Sequence, residues 1–315
     1  MPLTIGEVHT SLLPTSAAVS ADTAAELLAI VPGGSVGTRQ RPVRYAWSPE
    51  VLTGVDCLAP LADRREVRVV GTPATRLSLT DGHIIQAGTH ATLRFEPTGH
   101  RRPWGHYLAN PGVLEVLGTA SEENLATGFL RGTRIMASLD LSTVNVRALT
   151  AIQRNRQLDH KPPFRTRRTR LRWSAEPSDS AQEIIFTLGN DGLRTVRLRA
   201  EEPDPRVLAD FCADLAMHDW LLSTLVDIVD RAVARKRPAA ELIGILRPGI
   251  DHLVHAWMPA AHASRNLARV WQEIDLKSGL SAQWQKTVER IRDQLSVGII
   301  EALQQFTEPP RSESA

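Results

Sequence analysis

The sequence predicts an α+β protein: a β-rich N-terminal region with antiparallel hairpins, followed by a C-terminal α-helical bundle. Three observations carry this reading. Up to about residue 200, short apolar runs alternate between turn-forming Gly, Pro, Asn and Asp clusters, the pattern of half-buried strands, with a few helical segments between them. From Pro205 the period changes, and Leu208, Phe211, Leu215, His218, Leu222, Leu225 and Val229 recur at alternating steps of three and four, one face of a helix. Finally, Trp220, Trp257, Trp271 and Trp284 fall one to each of four helical segments and would supply a bundle core. The implied organisation is a β-rich α+β region over 1–202, with a small antiparallel sheet over 161–200. A helical domain over 203–308 and a flexible tail over 309–315 follow.

Taken in order, "GEVHTSLL" reads as a strand and residues 22–31 as a helix stopped by "PGG". "PVRYAW" precedes the turn-rich "SPEVLTGVDCLAP". The clearest hairpin is "TRLSLTDGHIIQAGTHATLRF", where Asp81-Gly82 form a two-residue turn whose central residues need positive φ. "RRPWGHYLANPG" reads as a loop. Residues 142–157 form a helix with Ser142 as N-cap and Arg154 and Arg156 in the last turn, where positive charge suits the helix dipole. Pro162-Pro163 break it. In the strand that follows, Thr169, Leu171 and Trp173 share one face and Arg168, Arg170 and Arg172 the other. Two more strands flank "GNDG". Ile184, Phe186 and Leu188, then Val196, Leu198 and Ala200, join the apolar face, leaving Arg197 and Arg199 opposite. Further helices are predicted over 239–257, 264–275 and from Ser281. The last carries Trp284, Val288, Ile291, Leu295, Ile299, Leu303 and Phe306 and ends at Pro309-Pro310.

At 315 residues, 42% hydrophobic and 23% charged, the chain has ample material for a packed core. The net charge is +2, but it is unevenly placed: residues 1–150 sum to zero, 151–200 to +6 and 201–315 to −4. Within the basic segment, "KPPFRTRRTRLRW" (161–173) has six basic residues and no acid. Its aromatics, Phe164 and Trp173, make phosphate contact and base stacking conceivable. Of the basic residues in the whole chain only four are lysines, a skew that reflects genomic composition and weakens an inference from arginine count alone. Cys57 and Cys212 form no disulfide or metal pattern. "MPLTIGEVHTSLL" lacks the basic and apolar regions of a signal peptide, and no run approaches the roughly 18 apolar residues of a membrane span. A cytoplasmic location is the expectation.

Motifs for catalysis are weak. "GGSVG" (33–37) matches the G-x-S-x-G elbow around Ser35, but a helix precedes it and "TRQRP" follows, whereas the elbow needs a strand before and a helix after. "DHLVH" places His252 and His255 three apart, with His218 and His262 as the nearest further ligands; its periodicity puts both histidines on a solvated face, so no metal is expected. His218, within the apolar stripe beside Asp219, reads as a hydrogen-bonded core histidine. His106, in its Gly/Pro-rich loop, and Asp56 are candidate pocket residues, as are His218 and Asp219. No catalytic residue and no cofactor is assigned.

The segments "LLAIVPGG", "SPEVLTGVDCLAP", "PWGHYLANPGVLEVLG", "PPFRTRRTRLRW", "LAMHDWLLSTLVDIVDRA" and "LRPGIDHLVHAWMP" resemble an uncharacterised actinobacterial protein family. That family is encoded in a cluster with a variant P-loop protein and a methyltransferase-like protein. The resemblance implies one subunit of a multi-gene bacterial system with protein partners from the same cluster. The leading expectation is therefore an accessory or adaptor subunit acting by protein–protein binding. One alternative is a nucleic-acid-binding module. It would use Arg165, Arg167, Arg168, Arg170 and Arg172, joined by Arg197 and Arg199, for nucleic acid or an acidic partner. The other is a hydrolase or metal-dependent enzyme with dispersed His and Asp residues.

Overall fold

The computed structural model describes residues 2–96, 98–132, 138–177, 183–188, 193–200, 204–234, 237–261 and 263–307. The fold is α+β, with a mostly antiparallel sheet of twelve strands built from the first two hundred residues and long helices in the last third. The chain runs β1 (Thr4–Leu12), α1 (Ala21–Leu28), β2 (Gly37–Arg39), β3 (Tyr45–Trp47), β4 (Val51–Leu52), β5 (Val55–Pro60) and β6 (Glu66–Gly71). The hairpin β7 (Ala74–Thr80) and β8 (Ile84–Glu96) follows, then α2 (Trp104–Leu108), β9 (Val113–Leu117), α3 (Glu122–Arg131) and α4 (Leu141–Gln153). Strands β10 (Thr169–Pro177), β11 (Glu183–Leu188) and β12 (Leu193–Ala200) close the sheet. The helices α5 (Pro205–Val233), α6 (Ala239–His252), α7 (Arg265–Ser278) and α8 (Leu280–Thr307) complete the chain.

Local chemistry explains most boundaries. Ser20, Ser121 and Ser264 each accept the backbone N–H three residues on and start α1, α3 and α7. The cap of α4 is Asp140 rather than the expected Ser142: its carboxylate accepts from Ser142 N and Thr143 Oγ1, the stronger acceptor winning the position. At the β7–β8 turn Asp81 and Gly82 both have positive φ, as expected, and His83 adds a third loop residue. The short helix α2 occupies the expected loop, and α3 lies between two segments read as loop and helix. Residue 257 falls beyond α6, which ends at His252 before a 3-10 turn over Val254–Ala256.

The strand order is β11-β12-β10-β1-β8-β7-β3-β2. Beyond Thr92 the second half of β8 pairs in parallel with β9, which in turn carries β6 and β5. This corrects the small sheet expected over 161–200. Strand β10 pairs antiparallel with β1 and parallel with β12, so the three strands extend one continuous sheet and β11, second in sequence, is its edge. The physical reason is that β1 offers a long edge, which β10 pairs over Thr4–Thr10, so that β12 and β11 extend the existing sheet.

Both faces of the sheet are covered. Val8, Leu12, Ile84, Leu171, Trp173, Val196 and Leu198 pack on one face against α5. On the other, Leu3, Ile5, Ala91 and Leu93 meet Leu125 and Phe129 of α3, while Leu13, Leu77, Leu79 and Ile85 meet α1 and α4. Alternate residues of β1 thus enter opposite cores, which is why a strand as polar as TIGEVHTSL is almost entirely buried. Gly6 is required there: a Cβ would lie 2.4 Å from the indole of Trp173 across the β1–β10 pair.

Candidate functional site

The arginine row does not lie against the acidic helices. Those helices cover the apolar face of β10 and β12, and the arginines point to the opposite side, where the β-rich region supplies its own carboxylates. Arg172, only 12% exposed, donates from Nε to Glu7 Oε2 at 2.9 Å and from Nη1 to the Phe129 carbonyl at 3.1 Å, with its guanidinium over the Phe129 ring. Arg197 is held between Glu123 of α3 and Glu176 of β10, and Arg199 shares both acids. The Arg197 pair sets the Glu123 carboxyl below its usual range. Arg168 donates to Gln153 Oε1 at 3.1 Å. Arg170 and Arg172 also line a cleft of about 690 Å³, together with Asp56, Arg131 and the first turn of α4.

Arg165 and Arg167 behave differently. Residues 164–168 form an extended strap across α5. The Arg165 carbonyl accepts from Arg231 Nη2 and the Arg167 carbonyl from Trp220 Nε1, both at 3.0 Å, while Thr166 Oγ1 meets Thr224 Oγ1 at 2.9 Å. With the backbone and Thr166 turned inward, the Arg165 and Arg167 side chains face solvent.

The remaining sequence candidates are placed apart. Asp56 and His106 do not form a pair. Asp56 accepts from Arg68 and Arg101, and chiefly the Arg68 hydrogen bond holds its carboxyl below the ordinary range. His106 Nε2 donates instead to Glu115 Oε1 at 2.6 Å, a buried carboxylate nine residues on that nothing in the local pattern marks. His218 is fully engaged. Its Nδ1 donates to the Asp214 carbonyl at 2.7 Å, its Nε2 accepts from Met258 N at 3.2 Å, and its ring meets Trp257 and Trp271 edge-on. Asp219 pairs with Arg194; burial nevertheless outweighs that arginine and pushes its carboxyl up.

The "DHLVH" histidines form the expected solvated face only in part: His255 stays half-exposed, whereas His252 is half-buried. His252 packs edge-on against His83, ring centroids 4.4 Å apart, and His255 donates to Asp81 Oδ2 at 2.6 Å. Both dock on the β7–β8 turn, and burial, aided by His252, lowers the His83 imidazole to about 4. Among the described residues no group of three or more His, Cys, Asp or Glu side chains is placed to hold a metal ion; His262 lies outside them, as do residues 309–315. Ser35 is exposed with no helix after it.

Among the described residues, one apolar surface stands out on the outer side of α8. The stripe read on α8 repeats by steps of four from Ile291 through Leu295 and Ile299 to Leu303. Each such step advances about 40° round a helix of 3.6 residues per turn, so the stripe walks off the core. Ile291 is buried, whereas Ile299 and Leu303 are 54% and 60% exposed, joined by Val297 at 49% and Ile300 at 54%. Core packing at that level falls instead to Gly298, against Ala239 and Leu242 of α6.

No family model, curated protein or solved structure matches the chain. Among the described residues no helix is long and apolar enough to cross a membrane.

Proposed function

We propose that this chain is a non-catalytic, cytoplasmic accessory or adaptor subunit that binds another protein through the outer face of the second half of α8. The exposed row of Val297, Ile299, Ile300 and Leu303 carries the reading. Contiguous apolar side chains on a surface helix are the kind of patch that marks a protein-binding site, and helix-in-groove recognition uses such spacing. The resemblance noted from the sequence supports partners encoded in the same gene cluster. Co-expression with those products and affinity capture of this chain should recover a stoichiometric complex. Ile300→Glu with Leu303→Glu should reduce recovery at least tenfold with Tm nearly unchanged, because exposed substitutions cost within about 0.5 kcal/mol. A wild-type chain that stays monomeric and captures no partner at micromolar concentration would refute the proposal.

A nucleic-acid reading is favoured by the outward Arg165 and Arg167 on their strap. It supports only a short electrostatic footprint, because Arg172, Arg197 and Arg199 are committed to carboxylates. The expected salt slope is therefore shallow, about one unit per phosphate contact. A low-salt gel-shift titration decides it: no retarded species, or one insensitive to Arg165→Ala with Arg167→Ala, removes this reading.

A further inference from the structure

On the α5 side of the sheet, a groove of about 190 Å³ opens between strand and helix. Its floor is β7 and β8, one wall is β3, the other wall is α5, and its lip is the segment over 256–261. Tyr45 and Trp47, two apart on β3, present stacked rings 5.5 Å apart. Trp47 can lie flat because Gly37 is its cross-strand partner: a Cβ at Gly37 would come within 2.2 Å of the indole. The last glycine of "GGSVG" thus makes room for an aromatic wall. Facing it, Ala213 and Met217 of α5 leave space, with Met258 at the lip.

We infer that this groove binds a small, uncharged, planar heteroaromatic molecule. Three observations support it. The volume suits one or two fused rings, since an apolar cavity of roughly 150 Å³ takes a single benzene. Its lining carries two arginines, Arg39 and Arg76, and two aspartates, Asp210 and Asp214, with Arg76 paired to Asp210. Polar atoms await a partner on the floor. The Thr80 hydroxyl is buried with none, a state that costs free energy unless something supplies the bond. Both amide hydrogens of Gln86 are spent, on Thr10 Oγ1 and the Ala213 carbonyl at 2.9 Å each, which leaves its Oε1 to accept. A flat ring sandwiched against Trp47, with ring nitrogens reaching Thr80 and Gln86, fits this chemistry. The site is independent of the α8 face.

Thermal shift and intrinsic fluorescence titrations of the full chain would use adenine and indole as flat probes and cyclohexanol as a non-planar control. Saturable binding of one flat probe is expected, adenine indicating a nucleobase-like ligand with several ring nitrogens and indole one with a single ring N–H donor. Ala213→Trp and Met258→Trp should abolish it by filling the groove; the second starts at the surface and stays informative if the first misfolds. Thr80→Val should weaken it about fivefold, the worth of one hydrogen bond. The inference is overturned if neither flat probe saturates, if cyclohexanol binds as well, or if both filled variants bind like wild type. An unchanged affinity in Thr80→Val would remove its polar half.

Discussion

Replacing Glu7 by Ala is expected to cost roughly 3–5 kcal/mol, the penalty for removing one partner of a buried ion pair. Glu7 lies on the central strand with no exposed side-chain surface, and its carboxylate joins Arg172 of β10 to His9 Nε2 at 3.1 Å. The strand's carbonyl at the same residue accepts from Asn145 Nδ2 of α4 at 2.8 Å. Asn145 Oδ1 accepts from Thr89 Oγ1, so the Thr75 hydroxyl must donate to Thr89. Without Glu7 the largely buried Arg172 guanidinium loses its carboxylate and, among the described residues, keeps the Phe129 carbonyl and ring beside the cleft it lines. Urea unfolding should therefore show a large fall in midpoint. The double change Glu7→Leu with Arg172→Met should recover much of it, because an apolar pair of similar volume needs no mutual solvation. A double variant as unstable as Glu7→Ala would point to strand packing instead.

The same group gives the acid limb of stability a sign. Burial raises the Glu7 carboxyl, but the His9 hydrogen bond, the Arg172 charge and the remaining contacts together outweigh it and hold the group below its ordinary value of 4.5. A folded-state pKa below the unfolded one contributes stability that is present above the unfolded value and lost as pH falls through the folded one. Wild-type stability should thus begin to drop just under pH 4.5. Glu7→Gln, weaker at neutral pH, should show a flatter acid limb. Equal slopes in a pH series of urea midpoints would refute this assignment.

Trp220→Ala is the second large expectation, roughly 3–5 kcal/mol for a fully buried aromatic side chain. Trp220 has no exposed surface and sits where α5 packs on the sheet. Its indole N–H also fixes the strap at Arg167. Limited trypsin cleavage after Arg165 and Arg167 should therefore rise in the variant well before global unfolding. Trp220→Phe keeps most of the packing and should cost only about 1–2 kcal/mol while still loosening the strap. Unchanged cleavage in both variants would show that Arg231 and the Thr166–Thr224 contact suffice.

Parts of this architecture were legible because they are local. The α5 stripe keeps alternating steps of three and four and stays on its core, and the alternation at Thr169–Trp173 separates Leu171 and Trp173 from the arginines as expected. The α8 stripe misled because repeated steps of four drift. Pairing was not legible, since which edge β10 takes depends on β1, more than 150 residues earlier, and nothing in the "RTRRTRLRW" pattern encodes that choice. The ionic partners Glu7, Glu123 and Glu115 were invisible for the same reason: each meets its Arg or His by tertiary placement. The groove draws on four separate segments, and its one sequence trace, "GGSVG", matched a nucleophile elbow in the wrong context and carried no sign of an aromatic wall.

The position of β1 has a consequence for biosynthesis. Of the twelve strands it is made first, yet its two neighbours are β8, some eighty residues later, and β10, some one hundred and sixty-five residues later. Until Thr169–Pro177 emerge, one full edge of the sheet's middle stays open, a template for strand addition by any nearby chain. Nascent or truncated products ending before Thr169 would self-associate, and chaperone demand should peak over that interval of translation. The buried acid in β1 would then discourage wrong pairing: Glu7 on an open edge resists an apolar neighbour, whereas β10 in register brings it Arg172.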